Sequence, residues 1–404
     1  ADQASTLALE KLDRLGDHDG PRRAEALNSR GLVLRQQGHH DAAIAHYRDA
    51  IEIREGLTPP AVLDASDTYL NLGIAQAGQG HTDEAIETLE HALRLREQAL
   101  WPDHPSLYRL HASLSYRYLE QGRLDAAEQA LTRALVLAEG LGRDAHPRVA
   151  QLHIAMARLL DRRHVFERAL QHAQRADAIL VEALGEHDAQ RLGALEAIGQ
   201  VCLDAGWPER AIPAFDQALV LQAAVGGDPV DLAIGRGKLA HAHANAGRHE
   251  TALGLFEHAP RTLGADPSLR GRVYYPELQL RYGETLVALG REGEAVEPLR
   301  AAVRWWQEHG DNPERLAIAR WGLARALCAE GPDPEPARQA LAYFESISTA
   351  GAAQMRSMIT AWLEQPCAEA EDGESDRSEA NESDPAAAPA EASAATAQEI
   401  DGRP

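Results

Sequence analysis

The chain has 404 residues, 62 of them acidic and 40 basic, for a formal net charge of −22. That balance argues against nucleic acid, which rewards clustered Lys and Arg through counterion release. No stretch approaches the roughly 18 uncharged apolar residues that a membrane span needs.

Residues 1–21 open with ADQASTLALEKLDRLG, an amphipathic segment of mixed charge that predicts an N-terminal helix or cap and lacks the pattern of a signal peptide. The first residue is Ala1 and not Met, so the chain is read as a processed or excised piece of a longer protein.

From residue 22 to residue 345 the sequence repeats itself. Gly38, Gly80, Gly122, His164, Gly206, Gly247 and Gly290 each separate two helical patterns, at successive spacings of 42, 42, 42, 42, 41 and 43 residues by subtraction. His164 fills the one vacancy in the glycine column. Five residues after each comes Ala, from Ala43 to Ala295, and twelve after comes another, from Ala50 through Ala259 to Ala302. Seven before lies a small residue: Gly31, Gly73, Ser115, Ala157, Gly199, Ala240 and Gly283. The turn residue can adopt the left-handed backbone that ends one helix and starts the next. The small residues sit where two antiparallel helices cross at close range. A larger residue nine after the turn, such as Tyr47, Leu89, Phe215 or Leu299, with Ala173 the weak member, is expected to plug the gap towards the next pair. Seven clear units are followed by a degenerate eighth, where Ala324, Gly331, Ala337 and Leu341 keep the order.

Residues 346–365 predict a last helix that caps the apolar end of the stack, and Trp305, Trp306, Trp321 and Trp362 crowd there as its core. From residue 366 to 404 the composition changes. Residues 368–404 hold eleven acidic residues against Arg377 and Arg403, with Ile400 the sole large apolar side chain. Such a stretch buries too little to order itself, so a disordered acidic C-terminal tail is expected.

The three columns of small residues resemble those of tetratricopeptide repeats, and the 42-residue spacing resembles the kinesin-light-chain-like subfamily. The phrases WPDHPSLYRL at 101–110 and GRDAHPRVAQL at 142–152 are similar to the connections of that subfamily. The resemblance implies an all-α fold, a right-handed superhelical solenoid of antiparallel helix pairs, whose first helices line a concave groove for a protein or peptide. Repeats of this length also look like those that follow the catalytic domain of large bacterial serine/threonine kinases. A regulatory or substrate-recruiting C-terminal region of such a kinase is therefore one alternative, and a ligand-sensing regulator is another.

No pattern of catalytic chemistry is found, and no cofactor or metal is expected. HETAL at 249–253 has Leu253 where a zinc protease helix needs its second His, and GRGKL at 235–239 has Leu239 where a phosphate loop needs Ser or Thr. Cys202, Cys328 and Cys367 lie far apart with no CxxC pair. Neither a disulfide framework nor a zinc knuckle is expected, and a reducing, cytoplasmic compartment fits.

The candidate binding residues follow from helical periodicity on the first helix of each unit, counted back from the turn. They are Asn28, Asn71, Arg109, Tyr116, Arg158, Arg162, Gln200, Lys238, Asn245 and Arg281. Asn71, in the phrase YLNLG, resembles the Asn that hydrogen-bonds a peptide backbone in this family, and an amide can both donate and accept there. The two-carboxylate clamp of chaperone-binding relatives is only partly matched, because Leu32 and Ser113 stand where an Asn and a basic residue belong. Arg109, Arg158 and Arg162 predict a basic middle groove that favours acidic or phosphorylated ligands. The acidic tail is a candidate intramolecular occupant of that groove.

Overall fold

The computed structural model describes residues 2–142, 145–256, 274–310 and 312–367. The described residues form eighteen α-helices and no strand. In chain order they are α1 (Asp2–Arg14), α2 (Pro21–Gln36), α3 (His40–Gly56), α4 (Val62–Gly78), α5 (Thr82–Ala99) and α6 (Tyr108–Glu120). Next come α7 (Leu124–Gly140), α8 (Pro147–Arg162), α9 (Phe166–Leu184), α10 (Leu192–Asp204), α11 (Pro208–Ala224) and α12 (Pro229–Asn245). The last six are α13 (His249–Phe256), α14 (Tyr274–Ala288), α15 (Glu292–His309), α16 (Pro313–Ala326), α17 (Glu335–Glu345) and α18 (Ala350–Glu364). From α2 onward they pack as successive helical hairpins, α2 with α3 through α16 with α17, stacked into a solenoid.

The repeat columns explain the hairpin. All six turn glycines have positive φ, from 68° at Gly290 to 85° at Gly80, and His164 adopts 57° in the same role. A left-handed backbone costs a non-glycine residue about 1–2 kcal/mol, so the turn geometry overrides the side chain at that position. A Cβ added to Gly31 would lie 2.6 Å from the Tyr47 ring, and one on Gly199 would lie 2.6 Å from the Phe215 ring. The bulky residue nine after the turn therefore covers the small residue of its own hairpin. Leu299 does this at Gly283 and also reaches Gly322 of the following pair, 3.0 Å from the position of its Cβ. The expected plug thus acts within a hairpin as well as between hairpins. Ala259 lies outside the described residues.

Polar contacts hold neighbouring hairpins in register. Arg54 and Arg96, 42 residues apart by subtraction, are both buried near the ends of second helices. Arg54 donates to the Asp64 carbonyl at 2.8 Å and Arg96 to the carbonyls of Leu63 at 3.3 Å and Ser106 at 3.1 Å. Arg96 also pairs with Asp67 at 2.7 Å. A second ladder joins the residue just before three of the turns to a carboxylate of the preceding hairpin: Gln79 to Asp41, Gln121 to Asp83, and Arg163 to Asp125.

First helices of successive hairpins touch one another, α2 with α4, α4 with α6, α6 with α8, α8 with α10, and α12 with α14. Among the described residues no two successive second helices approach to the same extent. The stack is tighter on the side of the first helices, which therefore form its inner face.

At the far end Trp305 and Trp306 join the core of α14, α15 and α16, whereas Trp321 meets Trp362 of α18 edge to face at 5.6 Å. The cysteine expectation is corrected here: Cys328 and Cys367 form a disulfide, and buried Cys202 is free. The helices α16, α17 and α18 alternate in direction, which returns the chain after α18 to the end of α16. A separation of 39 residues in sequence conceals that meeting. The pairing also removes the ground on which a reducing compartment was expected. The acidic tail, residues 368–404, lies outside the described residues.

Candidate functional site: the inner groove

Most candidate residues fall on steps 13, 9, 6 and 2 before a turn, a stripe of i, i+4, i+7 and i+11 along one helix face. Asn71, Lys238 and Arg281 share the step nine before, and Tyr116, Arg158 and Gln200 the step six before, by subtraction from the turn positions. Eight of the ten line three cavities on the inner face.

At the N-terminal end, Asn28, Asn71 and Arg109 line a cavity of about 540 Å³ together with Glu25, Asp64 and Asp67. Asn71 is buried, and its Nδ2 donates to Asn28 Oδ1 at 3.0 Å. The two amides bond across adjacent first helices, which fixes their orientation and uses one donor of Asn71. Arg109 is exposed at the rim.

A second cavity of the same three hairpins, about 390 Å³, is lined by Tyr116 with Arg35, His40, Ser113 and Arg117 and an apolar wall. Burial, with Tyr108 second, pushes the Tyr116 phenol up to about 12 against the opposing pull of Arg158 and Arg117. Arg158 and Arg162 are exposed on α8, and Arg162 Nη1 donates to the Leu119 carbonyl at 3.3 Å. Neither lines any of the three cavities.

Towards the C-terminus, Gln200, Lys238, Asn245 and Arg281 line the largest of the three cavities, about 750 Å³, with Leu203, Phe256, Leu278 and Trp306 as its apolar part. Its cations are neutralised locally. Lys238 Nζ lies 2.7 Å from Glu196, and Arg281 sits between Glu277 at 3.0 Å and Glu284 at 2.9 Å. Arg315 Nε lies 3.4 Å from Glu277. Gln200 donates to both carboxylate oxygens of Asp204, at 3.0 and 2.9 Å. Burial, then Arg281 and Arg315, push His241 down to about 3, so it faces the cavity as a neutral imidazole. The Tyr274 hydroxyl donates to the Ile234 carbonyl at 2.8 Å, and burial raises its pKa. This end of the groove is of mixed charge.

Arg315, Asn312 and Tyr274 line that cavity and are absent from the sequence-derived set. Arg315 sits on the first turn of α16, upstream of the repeated steps, and the stretched turn of the eighth unit hides its register. The Pro313 start of α16, with Asn312 Oδ1 accepting from the Arg315 N–H at 3.0 Å, is the local signal that could have placed it. Among the described residues no three His, Cys, Asp or Glu side chains are grouped to hold a metal ion, and no helix is long and apolar enough to cross a membrane.

The hairpins, their 42-residue period and their inner groove define the class of fold: a solenoid of helical hairpins like that of tetratricopeptide repeat proteins. Models of the tetratricopeptide repeat match residues 2–56 and 66–106. Among solved structures, the apo form of RapI superposes with a TM-score of 0.58 at 12% identity, over 85% of this chain and 99% of that one. A signal transduction ATPase with numerous domains, with a tetratricopeptide repeat sensor, from Pyrococcus horikoshii gives 0.53 at 16% identity. The match covers 85% of this chain and 54% of that one. Structural neighbours also include a kinesin light chain protein with TPR-like repeats from Podosopora anserina, at TM-score 0.44 and 20% identity over 52% of this chain and 99% of that one. A search of curated proteins finds no match.

Proposed function

We propose that the inner groove holds an extended or helical segment of a partner protein, and that the chain acts as a scaffold with no chemistry of its own. A tetratricopeptide fold supports a protein-interaction role in general. The observation that carries the finer reading is the alignment of eight of the ten candidate residues with three cavities along one face. Polar side chains at regular steps over an apolar floor suit a backbone that needs both donors and acceptors. Exposed Arg109, Arg158 and Arg162 favour a segment with acidic or phosphorylated residues. The chain's own tail is a competitor for the same face, and deleting residues 368–404 is expected to raise partner affinity.

The test combines charge reversal at Arg109 and Arg158 with Asn245→Ala, all three exposed. Affinity for a partner isolated from the source cells should fall about tenfold or more, with an unchanged melting temperature. Undiminished affinity in the triple variant would move the binding surface away from this groove.

A further inference from the structure

The cavity of about 390 Å³ differs from the other two in charge. The cavity of about 540 Å³ contains Glu25, Asp64 and Asp67, and the one of about 750 Å³ contains Asp204 and Glu277. None of the nine residues around the 390 Å³ cavity is acidic, in a chain whose net charge is −22. Its polar wall comes from three elements: Arg35 from α2, His40 from the start of α3, and Ser113, Tyr116 and Arg117 from α6.

Two nitrogens of that wall, Arg35 Nε and His40 Nδ1, are buried without a hydrogen-bond partner. A buried unpaired polar atom is costly and needs an explanation. Gly78 leaves room for the His40 ring, because a Cβ there would lie 2.6 Å from its Cε1. Tyr116 is a protonated donor at neutral pH, and Arg158 acts on it from α8. Arg117 is shared with Glu120 at 2.8 Å, at the more exposed edge.

We propose that this cavity is a subsite for a phosphoryl group, formed by Arg35, His40, Ser113, Tyr116 and Arg117. Two guanidinium groups, one of them shared with Glu120, an imidazole and two hydroxyls offer donors from several directions, and no carboxylate is in the lining. A tetrahedral phosphate with three terminal oxygens uses such a cage more fully than a planar carboxylate with two. The group is carried either by a phosphorylated side chain of the segment in the groove or by a free phosphate. The carrier rests on the reading of the groove as a partner site, but the binding of the group is testable without any partner.

Isothermal titration of the full chain with inorganic phosphate, phosphoserine and glutamate makes the test. Inorganic phosphate and phosphoserine should each saturate one site, with glutamate about tenfold weaker or more. The tighter of the two phosphoryl ligands identifies the source. Arg35→Gln should weaken phosphate about tenfold, and Tyr116→Phe about threefold. Tyr116→Phe removes a single hydroxyl, so it keeps the test valid if Arg35→Gln disturbs folding. Arg94→Gln, exposed on a second helix, serves as the unaffected control. Absence of saturable binding, glutamate as tight as phosphate, or wild-type affinity in Tyr116→Phe would overturn the assignment. Partner binding that survives in those cases separates a failed subsite from a failed groove.

Discussion

His153 and His172 face each other across α8 and α9, with their Nδ1 atoms 2.8 Å apart. One ring must donate and the other accept, so the acceptor is a neutral imidazole and the two rings cannot both be protonated. Burial, then His172 and Arg175, push His153 down to about 4, and burial with Arg168 lowers His172. His111 is likewise held at about 4 by burial and Arg133, and His241 at about 3. An unfolded His takes up its proton near 6.5, above these folded values, so the unfolded chain binds more protons in that window. Stability is therefore complete above about pH 6.5 and is lost as pH falls towards about pH 4. Asp161, raised to about 6 by burial and then Asp204, acts in the opposite direction, one group against several. The melting temperature should drop between about pH 7 and about pH 5, and His153→Gln should flatten the slope. A flat or rising profile would contradict the neutral histidines. Little of this was legible beforehand: the turn column, His164 included, follows from local backbone geometry, but the partner of His153 depends on how two helix faces meet. The same holds for Asn28 and Asn71. Periodicity places both on the inner face, yet it does not reveal that each is the other's partner.

At the scale of the helix, register between hairpins depends on a few buried cations. Arg96 is 3% exposed and reaches two carbonyls and Asp67 at once. Replacing it with Met keeps the apolar stem but leaves those acceptors without their donor. Charged hydrogen bonds of this kind are worth about 1.5–3 kcal/mol each at most, and neighbouring ones are not additive. Arg96→Met should therefore lower stability by about 2–3 kcal/mol, against little change for Arg94→Met, which is exposed. Denaturant unfolding followed by helical circular dichroism reads the difference, and equal effects would remove the staple. The helix boundaries were largely readable because small residues and turn formers act locally. The 42-residue spacing of Arg54 and Arg96 says nothing of their purpose, which required the carbonyls they reach: Asp64 for Arg54, and Leu63 and Ser106 for Arg96. The Cys328–Cys367 bond was misread for a related reason, since three alternating helices bring together residues whose spacing suggests nothing.

Across the whole molecule, the first helices of successive hairpins touch while the second helices approach less. This asymmetry creates an inner face, and the stripe residues occupy it. Sequence periodicity supplied candidates for that face, with Arg109, Arg158 and Arg162 as its expected basic middle, but it could not show which cations have local counter-charges. Lys238 and Arg281 are matched by Glu196, Glu277 and Glu284, whereas the cavity around Arg35 has no acidic residue in its lining. Site-specific photocrosslinking in the source cells addresses the central claim most directly. A photoreactive side chain would replace Arg109, Gln200 or Asn245 on the inner face, or Val136 or Val220, both exposed on second helices. Adducts to a common partner protein from the three inner positions, with none from the two outer ones, are the expected result. Adducts from Val136 and Val220 with none from the inner positions would contradict it.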